Sequence, residues 1–230
     1  MPDTGTLDRT SVAATSLATR PDPLVFEDAR WAQITYEVSR QAAMERLPGE
    51  VTRPIPCYAR LIAIDGVVEG APANLAAWMV GGRFRMMPRN VLSTAVASGP
   101  FADGFLTNGL SLGEVDLRRD GAHVQATVAL DGVTLMACKL PAIYAVEPTM
   151  LRWDPWLCIA NEGGGSVLTE IAVTPTATAA FLSKGASLVA EAALPRTHSW
   201  RELANLLTIS ACYAEGTITL GVPQVVQECS

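Results

Sequence analysis

The chain has 230 residues and a mass of 24.4 kDa, enough for one globular domain with a sizeable core, which excludes a disulfide-stapled miniprotein. Hydrophobic residues make up 49% of the sequence and charged residues 17%, and this composition excludes bulk disorder. Aromatic residues are few at 6%. Small aliphatic side chains must therefore supply most of the core, which favours many short strands or small-residue helices.

The charge balance excludes two classes of partner. Seventeen basic and 23 acidic residues give a net charge of −6, and no run of Lys or Arg is long enough to follow a phosphate backbone, so nucleic acid is not expected. No window approaches the roughly 20 apolar residues of a membrane-spanning helix, and residues 1–23 lack the apolar segment of a secretory signal. We expect a cytoplasmic protein with neither nucleic-acid nor membrane partners.

The cysteines indicate a reducing environment. Their number is odd, they are widely spaced and none forms a C-x-x-C motif, so reduced core thiols are predicted. They are Cys57, Cys138, Cys158, Cys212 and Cys229.

The N-terminal residues differ in composition from the rest. Residues 1–22 are rich in Thr, Ser, Ala and Pro without hydrophobic periodicity, which predicts a flexible tail before a single domain over residues 23–230. Order is predicted to begin near Leu24, where β-branched and aromatic residues indicate a strand. Ser39 then has the position of an N-cap for a short helix over Arg40–Leu47.

The clearest local signal lies between Leu112 and Leu140. Asp-Gly pairs at 120–121 and 131–132 separate three β-type runs, and Asp-Gly is a strong hairpin signal. In the middle run Val124, Ala126 and Val128 alternate with polar residues, as in a strand with one buried face. The segment is predicted to be an antiparallel meander.

The other segments predict more short strands and one further helix. The glycine-rich segment 161–166 has the context of a hairpin loop rather than a phosphate cradle, and the run Ala186–Leu194 fits either a strand or a helix. Helical spacing of Leu203, Leu206, Leu207 and Ile209 predicts an amphipathic helix over Trp200–Ala211. The remaining predicted strands are Cys57–Asp65, Leu75–Val80, Val167–Val173, Thr217–Leu220 and Gln224–Val226.

Two or three short helices among many strands, without regular strand–helix alternation, favour an α+β fold dominated by antiparallel sheet.

The residue types in this sequence permit few catalytic chemistries. The two histidines, His123 and His198, stand outside metal-ligand patterns and fit a strand surface and a loop. No nucleotide-binding glycine motif or nucleophile elbow occurs. The two lysines, Lys139 and Lys184, fit an exposed strand end and a turn, whereas amine catalysis needs a desolvated lysine. We expect no metal and no cofactor.

Several segments together resemble the acetoacetate decarboxylase-like superfamily, in their order and spacing rather than in any single motif. The resemblance implies a strongly curved antiparallel sheet forming a cone or barrel around a buried cavity, a small-molecule substrate and a homo-oligomer. The segments are Phe26 with Ile34-Thr-Tyr36, Leu47-Pro48, Arg60-Leu-Ile-Ala-Ile-Asp65, Pro148-Thr-Met-Leu-Arg152, Val167-Leu-Thr-Glu170-Ile, Gly185-Ala-Ser-Leu188, Thr217-Ile-Thr-Leu220 and Val225-Val226.

One departure from the family pattern bears on the chemistry. Family decarboxylases carry a Schiff-base lysine after a Gly-Arg-Glu segment, but the corresponding stretch here, residues 95–109, has neither lysine nor arginine. The family's supporting arginine falls near Ala29 and Arg30, and its cavity carboxylate near Asn74, with Glu69 some residues away. Schiff-base chemistry is therefore not expected.

The remaining polar residues supply candidates for a cavity lining. Arginine offers a fixed fork of donors to an acid or enolate oxygen, although Arg83 and Arg85 also fit a solvated strand face and Trp78 also fits the core. We predict Glu170 and Arg83 as catalytic, with Glu37 as another candidate base. The predicted substrate-binding residues are Tyr36, Arg60, Trp78, Arg85, Phe105 and Asn108.

These features predict a non-Schiff-base enzyme acting on a hydrophobic, carbonyl-containing small molecule. A cyclase, isomerase or dehydratase of polyketide-type secondary metabolism, such as antibiotic biosynthesis, fits best, because confinement in a reactive conformer lowers a barrier without a nucleophile. Two alternatives stay open. One is a non-catalytic protein that binds such a molecule, and the other is a β-keto acid decarboxylase that uses Lys139.

Overall fold

The computed structural model describes residues 21–102, 111–130, 132–141, 143–151, 153–162, 165–190 and 207–229. Strands make up most of this part of the chain, with one short α-helix and one 3-10 turn. The helix is α1 (Arg40–Met44), and the turn is Pro148–Met150. The strands are β1 (Leu24–Glu37), β2 (Tyr58–Val68), β3 (Ala71–Phe84), β4 (Met87–Ser98), β5 (Ser111–Asp120), β6 (His123–Leu130), β7 (Val133–Leu140), β8 (Ile143–Val146), β9 (Trp156–Glu162), β10 (Gly165–Ile171), β11 (Val173–Ser183), β12 (Ser187–Ala190), β13 (Leu207–Leu220) and β14 (Gln224–Cys229).

The described strands form one extended, mainly antiparallel sheet. Its order is β12-β7-β6-β5-β4-β3-β2-β1-β13-β11-β8, and a branch continues from β4 through β9 and β10 to β14. The parallel contacts are short, between β4 and β5 and between β4 and β9. The order of paired strands among the described residues does not close into a ring. The predicted curved antiparallel sheet is therefore found, but the predicted barrel is not.

The central strands β1, β2 and β3 are buried on both faces, and each face belongs to a different core. One core receives side chains from β11, β13, β1, β2, β3, β4, β9 and β10. Because these eight strands are consecutive neighbours in the sheet, the sheet must curl around that core, which we name the interior core. The other, which we name the outer core, lies between β1–β3 and the meander β5–β7.

The meander and the first helix confirm their sequence signals. Strands β5, β6 and β7 pair antiparallel, and Val124, Ala126 and Val128 are buried in the outer core. Ser39 caps α1, where its Oγ accepts a hydrogen bond from the backbone N–H of Ala42 at 3.1 Å. The helix ends three residues earlier than predicted.

The predicted helix over Trp200–Ala211 is wrong for its described part. Residues 207–211 begin strand β13, which pairs with both β1 and β11. Within this segment the ladder hydrogen bonds run to β1, and Ala211 alone also pairs with β11. This pairing, in a strand that continues into Tyr213 and Ala214 buried in opposite cores, outweighs a local helical spacing of leucines. Residues 200–206 and the predicted tail, up to residue 20, lie outside the described residues.

No helix among the described residues is long and apolar enough to cross a membrane. A group of three or more metal-ligating side chains is likewise not found in this part of the chain. Cys57, Cys138, Cys158 and Cys212 are buried thiols, as predicted for core cysteines.

The reactivity of two of these thiols can be used to test the burial of the two faces of the sheet separately. Burial raises the pKa of Cys138, in the outer core, to about 12. The pKa of Cys212 is also raised to about 12 by burial, an effect that Arg60 and a backbone hydrogen bond partly offset. Because the thiolate is the reactive form, iodoacetamide at pH 8 should leave both residues unmodified in the native protein and label them in urea.

Peptide mass spectrometry measures this labelling residue by residue. Rapid modification of Cys212 with Cys138 protected would show that the sheet does not enclose the interior core as described.

Candidate functional site

Buried polar side chains gather at one end of the interior core. Arg60 shares a face of β2 with Ile62 and Ile64, and Thr169 lies between Val167 and Ile171 of β10. In β1 and β4 the same alternation directs Gln33, Thr35 and Asn90 to the interior. Across the described residues, the buried polar side chains are Gln33, Thr35, Arg60, Asn90, Ser93, Asp154 and Thr169.

A buried ion pair lies at the centre of this polar end. The Arg60 Nη1 donates to Asp154 Oδ2 at 3.3 Å, and its Nε donates to Thr35 Oγ1 at 3.2 Å. The side chains of Arg60 and Asp154 are only 10% and 7% exposed. Two of the five guanidinium N–H groups are thus engaged, and the others stay available for a ligand oxygen.

Asp154 also connects Arg60 to Asn90. The Asn90 Nδ2 donates to the backbone carbonyl of Asp154 at 3.3 Å. Arg60 and Asn90 therefore both contact Asp154, Arg60 at its carboxylate and Asn90 at its backbone. The Oδ1 of Asn90 finds no hydrogen-bond partner among the described residues, and neither do Thr169 Oγ1 and Trp31 Nε1. A buried polar group without a partner is costly, about 1–3 kcal/mol, so these atoms mark a place where a ligand would be stabilised.

The charge of this end is balanced. Arg60 and Asp154 are the only charged side chains among the described residues that are buried, and they carry opposite signs. Aromatic side chains adjoin these polar groups, since Trp31 meets Trp153 edge to face at a centroid distance of 5.7 Å and Trp156 lies in the same core.

The opposite end of the interior is apolar. Phe26 meets Phe101 edge to face at 5.5 Å, and Ala29, Leu75 and Ala97 lie in the same core. The position predicted near the family's supporting arginine is therefore an alanine in the interior. The neighbouring Arg30 and Asn74 alternate to the outer side, where Arg30 pairs with Asp65 and Asn74 Oδ1 accepts from Ser98 Oγ at 2.6 Å.

The predicted site residues fall into separate places. Arg60 lies at the polar end of the interior. Tyr36 and Trp78 lie in the outer core, where the indole Nε1 of Trp78 donates to the Tyr36 hydroxyl at 2.8 Å, and burial raises the pKa of Tyr36. Phe105 and Asn108 lie outside the described residues.

Glu170 and Arg83, the predicted catalytic residues, do not meet. Glu170 lies on the face of β10 opposite Thr169 and pairs with Arg89 through a contact of 2.6 Å. Arg83 is exposed at the end of β3, and the exposed Arg85 donates to the backbone carbonyl of Val226 at 2.9 Å. Glu37 is partly buried at the end of β1.

Neither lysine faces the interior. Lys139 is exposed on β7, where it pairs across strands with Gln125 and Ser187. Lys184 is exposed and its Nζ lies 5.6 Å from the centre of the Tyr144 ring.

Sequence reasoning missed Asp154 and Asn90. Asp154 stands in a short stretch without regular secondary structure, residues 153–155, directly before Trp156 begins β9. A carboxylate flanked by tryptophans and a proline is an unusual context for a solvated loop, and this was the available signal. The sequence contains no comparable signal for Asn90, because its contact with Asp154 depends on the pairing of β4 with β9.

Comparison with known proteins now has a structural basis. The sequence matches no protein-family model and no curated protein sequence. Solved structures match closely in three dimensions. An acetoacetate decarboxylase is similar over 99% of both chains, with a TM-score of 0.76 and 16% identity. The acetoacetate decarboxylase of Legionella pneumophila also reaches 0.76, at 15% identity, over 91% of this chain and 90% of that one.

The chain has the acetoacetate decarboxylase-like fold. Two further structures extend the likeness beyond decarboxylases. The enduracididine biosynthesis enzyme MppR, complexed with pyruvate, gives a TM-score of 0.74 at 14% identity over 92% of this chain and 93% of that one. An acetoacetate decarboxylase-like enzyme from Sphingomonas wittichii gives 0.70 at 14% identity over 91% and 94%. The resemblance read from the sequence is confirmed at the level of fold.

The buried pair predicts a strong dependence of stability on both partners. Replacing Arg60 by Met leaves a buried carboxylate without its arginine, which should lower the free energy of unfolding by about 3–5 kcal/mol. The double variant Arg60→Met/Asp154→Leu removes both charges and should recover most of that loss. Urea denaturation at pH 7 measures both.

The matched control is Arg118→Met. Arg118 pairs with Asp116 at 2.7 Å, but its side chain is 81% exposed, so the change should cost less than about 1 kcal/mol. Equal losses in the Arg60 and Arg118 single variants would contradict the buried placement of Arg60.

Proposed function

We propose that the protein is an enzyme that enolises a hydrophobic, carbonyl-containing small molecule without forming a Schiff base. The observation that carries the proposal is Arg60, a buried guanidinium with N–H groups that Thr35 and Asp154 leave unused, at the polar end of an interior whose opposite end is apolar. An apolar lining with a few convergent polar groups is the usual form of a small-molecule site.

Arg60 supplies the electrophile in this mechanism. When the α C–H bond of the substrate breaks, its electron pair moves to the carbonyl oxygen, and the resulting enolate accepts hydrogen bonds from the guanidinium. Donors that are already oriented in a low-dielectric interior stabilise such charge strongly, and loss of one typically costs about 100- to 1,000-fold in rate.

Asp154 is the carboxylate placed to receive the proton. Its Oδ2 lies 3.3 Å from Arg60 Nη1, so base and electrophile adjoin each other. Return of the proton to another carbon completes an isomerisation, and attack of the enolate on a second carbonyl of the same chain completes a cyclisation. Glu170 remains a sequence-based candidate, but its pairing with Arg89 on the other face of β10 favours Asp154 as the base.

The structural neighbours support the substrate class. MppR is an enduracididine biosynthesis enzyme and its structure contains pyruvate, so this fold accommodates a carbonyl compound. Secondary metabolism, with a cyclase, isomerase or dehydratase reaction, is the setting we propose for this chain.

The proposal predicts exchange of α-hydrogens. The protein should catalyse deuterium incorporation from D₂O into a hydrophobic ketone such as 4-phenylbutan-2-one, followed by ¹H NMR. Arg60→Lys keeps the charge beside Asp154 but loses the planar fork of donors, so the exchange rate should fall more than about tenfold.

Two further variants separate the possible site residues. Glu170→Gln and the exposed Arg118→Lys should each stay within about twofold of wild type in exchange rate, because neither side chain faces the interior. A large loss with Glu170→Gln and none with Arg60→Lys would favour the sequence-based assignment. Saturable ketone binding without exchange would favour the non-catalytic binding protein.

A separate prediction concerns the lysines. Borohydride reduces an imine irreversibly, so a Schiff-base enzyme incubated with acetoacetate acquires a stable adduct. We expect no adduct here, because both lysines of the chain are exposed. Intact-protein mass spectrometry makes the measurement, with Lys139→Ala as the control variant. An adduct that maps to Lys139 and disappears in that variant would instead support the decarboxylase alternative.

A further inference from the structure

The buried charges at the polar end of the interior limit the charge that a ligand can carry there. The buried charges of the described residues sum to zero, because Arg60 and Asp154 are one cation and one anion. A carboxylate ligand would bring a second negative charge beside Asp154, in a place where water screens little. Transfer of an unbalanced charge into such a site is expensive.

The pairing geometry strengthens this argument. A carboxylate ligand would have to share or displace Asp154 as the counter-ion of Arg60, whereas a neutral carbonyl oxygen needs only one of the N–H groups that Asp154 and Thr35 leave unused. Among the described residues the other buried neighbours, such as Trp31 and Trp156, carry no charge.

Asn90 adds a requirement of a different kind. Its Nδ2 is bonded to Asp154, which leaves Oδ1 as a buried acceptor, 1% exposed at the residue level and without a partner among the described residues. Only a donor can satisfy this atom. In the same interior, Trp31 Nε1 is a buried donor without an acceptor among the described residues. The interior therefore contains both an unpaired acceptor and an unpaired donor.

From these groups we infer that the substrate is an uncharged carbonyl compound that carries a hydroxyl or amide donor beside its carbonyl group, rather than a keto acid anion. This inference rests on the proposed function, since it assigns the ligand of the same site. The carbonyl oxygen binds Arg60, and the donor binds Asn90 Oδ1.

Three probes of nearly equal size test the inference: 3-oxobutanamide, methyl acetoacetate and acetoacetate. The first is neutral with an N–H donor, the second is neutral without one, and the third is an anion. Binding to the full chain is measured by ligand-observed NMR at pH 7, with acetoacetate freshly prepared. The amide should bind most tightly and the acid more than about tenfold more weakly, a difference of about 1.4 kcal/mol.

A charge-altering variant then reverses the preference. Asp154→Asn keeps the shape of the side chain but leaves the interior with one positive charge, so acetoacetate should gain affinity relative to the amide by about tenfold or more. Asn90→Leu should remove the advantage of the amide over the ester. Arg118→Gln, on the exposed face of β5, is the control and should leave all three affinities unchanged. Circular dichroism shows whether each variant keeps the native fold.

The wild-type protein alone can overturn the inference. Acetoacetate binding as tightly as the amide would overturn neutrality, even if Asp154→Asn does not fold. Equal binding of ester and amide would overturn the role of Asn90. In both cases α-hydrogen exchange that depends on Arg60 would leave the proposed function intact. If none of the three probes binds, the inference is wrong, and the proposed function falls with it only if 4-phenylbutan-2-one also undergoes no exchange that depends on Arg60.

Discussion

Burial of the central strands on both faces is the constraint on which the rest of the structure depends. In a strand, successive side chains point to opposite faces, so β1, β2 and β3 must serve two cores at once. Ile62 enters the interior core while the adjacent Leu61 enters the outer core. A single-residue slip would exchange the two sets, and it would turn Arg60 out of the polar end of the interior. The register of the sheet therefore decides which side chains form the candidate site.

This constraint also explains which parts could be predicted from the sequence. The meander was predictable because Val124, Ala126 and Val128 have only one core to face, so a clean alternation survives in the sequence. Strands buried on both sides carry no alternation, and a continuous apolar run such as Leu61–Ile64 hides which residue belongs to which core. The β13 error has a different origin, since Leu207 and Ile209 are exposed and the start of the strand is fixed by pairing with β1, which is distant in sequence.

The candidate site was predictable only in its arginine. Arg60 interrupts an apolar strand, and a charged residue there either ends the strand or is paired inside the protein. Its partner Asp154 lies 94 positions away in sequence. The residues around Asp154 do not indicate a contact with β2. Glu170 and Arg83 remain predictions from residue type. The side of the strand on which Glu170 lies follows from the hairpin of β9 and β10, and its arginine partner is Arg89.

Two arginine–aspartate pairs in this molecule show why position decides function. Arg30 and Asp65 form one such pair across neighbouring strands, and the Arg30 side chain is 47% exposed. Solvent screens that pair, so it contributes little to stability or to the recognition of a ligand. Arg60 and Asp154 have the same chemistry at a longer distance, yet burial makes each charge depend on the other and makes any third charge costly.

A fold whose known members include acetoacetate decarboxylases thus presents, in this chain, an interior whose described residues include no lysine and carry buried charges that sum to zero. Loss of an amine removes covalent catalysis, but a desolvated guanidinium beside a carboxylate can still polarise a carbonyl and accept its proton. The proposed function also assigns a role to the apolar end formed by Phe26, Leu75 and Phe101. In that proposal the apolar end holds the hydrocarbon part of the substrate and keeps water from the enolate while the proton moves.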